Sequence, residues 1–307
     1  MENGARYFKK GRSLLCEGKR IRFQFICENK KTWPVLQMCR VMEVSSSAFY
    51  DWCNRPIAPD NRQNRLDEDA RKLFTEHRQT LGSRRMVKAL IKLGHQVGRF
   101  KVRRMMARLG LIARYPKKFK VTTDSAHHYG IAPNILDRQF DVNQPNQVWT
   151  TDITCVWTLQ GWVYLAAIMD LSNRQIVGWA IDDHMRTELC VKALQMAYWR
   201  RKPGKGLIHH SDRGSQYASD KYRKHLRTMG MQASMSGKGD CWDNAPTERF
   251  FRSLKYEQLN YQSFRTKSEA KLSILDYLAY YNSKRPHSKL GYVSPMEYEQ
   301  IELADVA

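Results

Sequence analysis

The sequence predicts a multidomain chain: N-terminal all-α helix-turn-helix units, then an α/β domain on a mixed sheet of three antiparallel strands plus two further strands, flanked by helices. Three observations predict it. The 307 residues suffice for two or three domains and are 42% hydrophobic, enough to bury a core. The net charge of +22 is lopsided, with +18 in the first 140 residues and +4 in the rest. The hydrophobic period changes from helical to two at Gln147. This composition excludes disordered, collagen-like and low-complexity classes. No apolar run of ~18 residues is present, and Met1–Lys30 lacks the apolar stretch of a signal peptide. A cytoplasmic chain with no membrane partner is therefore expected, its excess cations directed at nucleic acid.

Residues 1–30 read as a basic extension and residues 31–58 as a first helix-turn-helix unit. Pro34 suits a first helical turn, and Val35, Cys39 and Met42 share one face at i, i+4, i+7. Ser45, Ser46 or Ser47 can cap a second helix carrying Phe49, Tyr50 and Trp52. In such a unit the second helix meets DNA, which makes Ser46 and Ser47 candidate contacts.

After a linker, Pro56–Asn64, residues 59–115 read as a second, basic helical unit. From Glu76 to Asp124 there is no acidic residue, whereas a solvated helix face normally interleaves both signs. Gly82-Ser83 starts a helix over Arg84–Leu93 with Met86, Leu90 and Leu93 on one face, and a turn at Gly98 opens a second helix. On that helix Val102, Met105, Met106 and Leu109 form the apolar stripe, and Lys101, Arg104 and Arg108 share a separate sector of ~60°. With Arg84, Arg85, Lys88 and Arg99 these are the candidate phosphate contacts. Residues 116–144 read as linker, 145–300 as the α/β domain and 301–307 as a tail.

In the α/β domain, Val148–Trp157 alternates: Trp149, Ile153, Cys155 and Trp157 on one face, Val148, Thr150, Asp152 and Thr154 on the other. Aspartate is depleted in strands, so Asp152 in mid-strand needs a reason. A turn at Leu159-Gln160-Gly161 leads into the apolar run Trp162–Met169, and Gln175–Ile181 follows as a third strand of an antiparallel meander. A helix over Thr187–Arg200 precedes a buried strand, Leu207–His210, with Asp212 at its end, where α/β sheets place functional groups. Lys221–Met229 reads as a helix and Met231–Met235 as a short strand. A long helix with Pro246 in its first turn then stacks Glu248, Arg252 and Lys255 at i, i+4, i+7. The seven cysteines, odd in number and without Cys-x-x-Cys, read as reduced and mostly buried thiols. The pairs His127-His128 and His209-His210 lack cysteine partners at zinc-finger spacing and read as ordinary histidines.

Asp152, Asp212 and Glu248 are separated by 59 and 35 residues. This order and spacing resemble the ribonuclease-H-like catalytic domain of aspartate-aspartate-glutamate transposases and retroviral-type integrases. Four motifs narrow the resemblance: Trp149–Thr154, His210–Tyr217, Asp243–Lys255, and Tyr281–Ser288 with Leu290–Pro295. Together they resemble the OrfB-type transposase of the bacterial insertion sequence three family, over about Trp33 to Tyr298.

The resemblance implies DNA strand cleavage at element ends and 3′-OH strand transfer with two Mg²⁺ ions, for which Mn²⁺ substitutes. Asp152 would bridge the ions, Asp212 would bind one and Glu248 the other. Hard cations take oxygen ligands, so neither His nor Cys is needed. Lys255, with Arg252 assisting, would hold a DNA phosphate. Asp170, Asp240 and Asp243 are rivals for a metal role, and Asp170 reads as structural. Implied partners are double-stranded DNA (terminal inverted repeats and target), further copies of the chain on paired ends, and an upstream-frame protein or a fusion with it. The alternative is a DNA-binding regulator or inactive frame partner with a non-catalytic integrase-like domain.

Overall fold

The computed structural model describes residues 18–54, 61–114, 130–237 and 240–306. The chain divides into two compact units, Met1–Arg65 and Leu66–Ala307. No helix among the described residues is long and apolar enough to cross a membrane.

The first unit holds three helices, α1 (Lys19–Asn29), α2 (Val35–Val41) and α3 (Ser46–Asn54). Phe23 and Ile26 of α1, Met38 and Cys39 of α2, Met42 and Phe49 form its core. Lys19–Asn29 is thus helical rather than plain extension, because Phe23 and Ile26, three apart, give the basic segment one buried edge. Of the three serines, Ser45 is the cap: its Oγ accepts the N–H of Ala48 at 3.4 Å. Cysteines here are less buried than expected, with Cys39 buried, Cys27 half-buried and Cys53 exposed.

The second unit begins within α4 (Asn61–Glu76), followed by α5 (Ser83–Lys92) and α6 (Arg99–Arg108). The expected linker therefore ends earlier, since Asn61–Asn64 already belongs to α4. Leu66, Ala70 and Phe74 pack against Met86, Leu90, Val102, Met105 and Met106. These helices dock on the α/β domain through the turn after α4, where Arg78 and Gln79 have φ of 56° and 60°. The Arg78 guanidinium lies 4.4 Å above the Tyr280 ring and reaches Asp276 at 3.0 Å. Lys284 pairs with Glu76 at 2.9 Å, and Arg114 covers the Tyr261 ring at 4.0 Å.

Residues 130–144 of the expected linker are a strap rather than a free tether: Leu136 is buried, and the N–H groups of Ile135 and Leu136 both donate to Ser234 Oγ. Tyr115–Tyr129, including His127-His128, lies outside the described residues.

The sheet order is β3-β2-β1-β4-β5. β1 (Val148–Thr158), β2 (Gly161–Asp170) and β3 (Ile176–Asp182) form the expected meander. β4 (Ile208–Ser211) and β5 (Gln232–Met235) add in parallel beyond β1. One face packs on α7 (Thr187–Arg201), α8 (Ser215–Ala218) and α9 (Asp220–Thr228); the other packs on α10 (Ala245–Glu257) and α11 (Lys267–Ser283). Burial on both faces explains why β2 is apolar throughout. A final helix, α12 (Pro295–Val306), replaces the expected tail.

α7 crosses β3 at Gly178. A Cβ there would lie 2.4 Å from the Ala193 carbonyl oxygen and 2.6 Å from Ala197 Cβ. Gly178→Ala is expected to cost about 1–3 kcal/mol by overpacking, read as a lower urea midpoint with an unchanged slope.

Candidate active site

β1 and β4 run parallel with Thr150 opposite His210. Asp152 lies two residues further along β1, and Asp212 is the first residue after β4, so both follow the paired segment at the same end of the two strands. Asp152 is half-buried and its Oδ1 accepts the N–H of Ile153 at 2.7 Å; Asp212 Oδ1 accepts the N–H of Gly214 at 2.9 Å. The third carboxylate arrives on α10, preceded by the 3-10 turn Cys241–Asn244. Asn244 Nδ2 donates to the Thr151 carbonyl at 2.9 Å, and Thr247 Oγ1 donates to Thr150 Oγ1 at 2.7 Å. Both bonds land on the two residues immediately before Asp152 and tie the start of α10, where Glu248 follows Thr247, to the strand that carries it.

The far end of α10 is fixed as well. Arg285 holds Glu257 through bonds of 2.7 and 2.8 Å, and the Tyr277 hydroxyl donates to Glu257 at 2.8 Å. Asn282 closes the other contact of the fourth motif by bonding both the N–H and the carbonyl of Ile176 at 2.9 Å. That motif therefore serves to lock α11 onto α10 and β3.

Burial pushes the Asp152 carboxyl well above the usual range; Asp212 and then Glu248 push it further, while the Ile153 N–H and Lys255 oppose them. The exposed Glu248 is raised by partial desolvation and then by Asp212. The three carboxylates and Lys255 thus share one electrostatic environment. Among the described residues no three His, Cys, Asp or Glu side chains close into a ready-made metal cage.

The rival acids are engaged elsewhere. Asp170 is buried and accepts from the N–H of Asn146 at 2.7 Å and from the N–H and hydroxyl of Ser172. Burial alone would raise Asp243, but the Gly237 N–H and the Arg138 guanidinium hold it below the usual range. Asp240 pairs with Arg138 at 3.3 Å. His209 and His210 are buried, their pKa values lowered by desolvation to about 3 and about 4, and they bond Tyr222, Ser234 and Ser236.

The basic candidates separate into groups. Arg84, Lys88, Arg99, Lys101, Arg104 and Arg252 are exposed, and Lys255 is half-buried. Arg108 differs from its neighbours in the sector, since its Nη2 contacts both oxygens of Asp67 at 2.7 and 2.6 Å. Arg85 is half-buried and lowers the pKa of Glu257, so it faces the α/β domain. Ser46 is half-buried, and Ser47 is exposed with its hydroxyl 2.7 Å from that of Ser45. Sequence reasoning missed the positioning roles of Asn244 and Thr247. Both lie inside the Asp243–Lys255 motif, but their partners are about 95 residues away in the chain, at separations of 93 and 97.

Residues 142–241 and 229–295 match the integrase core domain, and residues 61–119 match an HTH-like domain. The helix-turn-helix match thus falls on the second, basic helical unit. The integrase core domain implies a polynucleotidyl transferase of the integrase and transposase class. A 31 kDa protein of insertion element IS600 from Shigella sonnei is 41% identical, covering 86% of this chain and 97% of that one. Transposase InsF of insertion sequence IS3A from Escherichia coli K12 is 35% identical over 92% of this chain and 100% of its own. The chain belongs to the IS3 family of transposases. Among solved structures, the catalytic core domain of BIV integrase is 18% identical, with a TM-score of 0.41 over 53% of this chain and 99% of that one. The HTLV-2 integrase core in complex with magnesium is 16% identical, with a TM-score of 0.36 over 46% and 88%.

A carboxyl whose folded pKa is raised favours folding below its unfolded pKa and loses that contribution as pH rises through the folded value. Charged Asp152 therefore costs stability at neutral pH. In metal-free buffer Asp152→Asn is expected to melt a few degrees above the wild type at pH 7.5, with the gap closing toward pH 4. A lower melting point at pH 7.5 would contradict the electrostatic reading of the cluster.

Proposed function

We propose that this transposase cleaves DNA at the ends of its element and transfers the freed 3′-OH, with Asp152, Asp212 and Glu248 as the metal-binding catalytic residues. The observation that carries it is the placing of Asp152 on β1 and Asp212 just past the end of the adjacent parallel β4, close enough to act on each other's carboxyls, with the start of α10 tied to β1. The donor set suits Mg²⁺ or Mn²⁺. It offers hard carboxylate oxygens, and an ion that keeps several waters needs one or two carboxylates plus substrate phosphate rather than an all-protein cage. Asp152 would be shared by two ions, Asp212 would hold one and Glu248 the other. When bound, such ions stabilise the charge that builds on the attacking and leaving oxygens of a phosphodiester.

The chain's own residues do the remainder. In cleavage, a water oxygen bonds to phosphorus as the P–O3′ bond breaks, leaving a 3′-OH and a 5′-phosphate. In transfer, that 3′-oxygen bonds to a second phosphorus and displaces its 3′-oxygen. Lys255, close enough to lower the Asp152 pKa, would hold the reacting strand's phosphate. No side-chain nucleophile is required. Tyr217 lies beneath the carboxylates, but burial raises its phenol well above the normal value of 10, and its hydroxyl sits 3.2 Å from Thr151 Oγ1. Buried Cys190 is likewise raised to about 12.

The exposed cations of α5 and α6 provide a sequence-independent grip on duplex DNA. The reading extends to a homo-oligomer on paired ends and to joint action with an upstream-frame segment.

The test is cleavage of a labelled duplex carrying the element's own inverted repeats, with Mg²⁺ or Mn²⁺, by this chain alone and by a fusion with the upstream frame. Asp152→Asn, Asp212→Asn and Glu248→Gln are each expected to lose about 10³-fold or more in cleavage, several kcal/mol of transition-state stabilisation, while binding DNA within about threefold of wild type. Cleavage at the wild-type rate by any of them removes that residue from the site. Failure of both chain and fusion to nick would favour the DNA-binding regulator. Neutralising Lys101 and Arg104 together is expected to weaken binding to all duplexes alike and to reduce the salt slope by about 2.

A further inference from the structure

Trp242 is 69% exposed, yet the two residues that follow it are firmly anchored. The next residue, Asp243, accepts from the Gly237 N–H at 2.7 Å, from Asn134 at 3.0 Å and from Arg138 at 2.6 Å. The residue after that, Asn244, is bonded to the carbonyl immediately preceding Asp152. Asp243 and Asn244 are 2% and 3% exposed, so the 3-10 turn buries its polar members and leaves its indole in solvent. An exposed single apolar side chain needs no special reason. This one sits six residues before Glu248, on a turn whose last residue is bonded to the strand of Asp152 and which leads directly into the helix of Glu248.

We propose that Trp242 is a stacking platform for the DNA base adjoining the phosphodiester on which the carboxylates act. The proposal rests on the cleavage site assigned above. A phosphate inside a base-paired, stacked duplex end meets a narrow cleft poorly; fraying the terminal pair frees the strand to enter and exposes a base face. An exposed indole on the turn that leads into the Glu248 helix can take up that face. Every base has a π-face, so the contact selects an opened strand rather than a particular sequence. A tethered backbone also means that little chain entropy is lost on contact.

The experiment compares two duplexes carrying the element's inverted repeat with a frayed terminal nucleotide. One is intact, and the other is abasic at the nucleotide adjoining the cleavage point. Affinity is measured in the Asp152→Asn background and single-turnover cleavage in the active background. Trp242→Ala is expected to weaken binding of the intact duplex about tenfold, inside the range of base–aromatic stacking, with an unchanged melting temperature. Trp242→Phe should stay within about threefold, and the alanine penalty should vanish on the abasic duplex. An equal penalty on both duplexes, or none on the intact one, overturns the proposal. Cleavage by Asp152→Asn would instead overturn the carboxylate assignment and leave the binding comparison readable.

Discussion

Two side-chain hydrogen bonds, from Thr247 to Thr150 and from Asn244 to the Thr151 carbonyl, hold the first turns of α10 against β1. Glu248 is exposed and Asp152 half-buried, and each carries a carboxyl pushed upward first by desolvation and then by its acidic neighbours. Left to electrostatics alone, these groups would separate. Neutral hydroxyl and amide contacts oppose that tendency, and Lys255 adds an attraction from the same helix. The Arg285–Glu257 pair does the same at the other end of the helix, where burial makes the bidentate geometry necessary.

The sheet supplies the second constraint. Antiparallel β1–β2–β3 is a local construction, whereas β4 must cross over through α7 to lie parallel beside β1. Only that crossover brings Asp212 to the same end of the two strands as Asp152. Close packing of α7 on β3 at Gly178 fixes the crossover, so a residue remote from the carboxylates helps set their spacing.

The basic helices are not a separate tethered module in this unit. Arg78, turned into the left-handed region, lays its guanidinium on Tyr280 and reaches Asp276, and Glu76 and Arg114 add contacts to either side. The exposed cations of α5 and α6 thus ride on the α/β domain instead of on a free linker. Arg85 and Arg108 illustrate the cost of reading cations by count: one turns toward Glu257 and the other is tied to Asp67.

Much of the protein was legible from its residues. Local periodicity specified the strands of the meander, α5, α6 and α7, because those patterns depend only on near neighbours. Motif order and spacing singled out Asp152, Asp212 and Glu248. Local pattern was weaker for α1, α4 and α12, where charged and polar residues interrupt the apolar stripe. Tertiary structure alone decided which acids share an environment and which are spent on backbone N–H groups or on Arg138, since a carboxylate's partner lies wherever the fold puts it. It alone revealed Asn244 and Thr247 as the ties of α10, because a hydrogen bond between residues about 95 apart leaves no periodic trace, as their separations of 93 and 97 show.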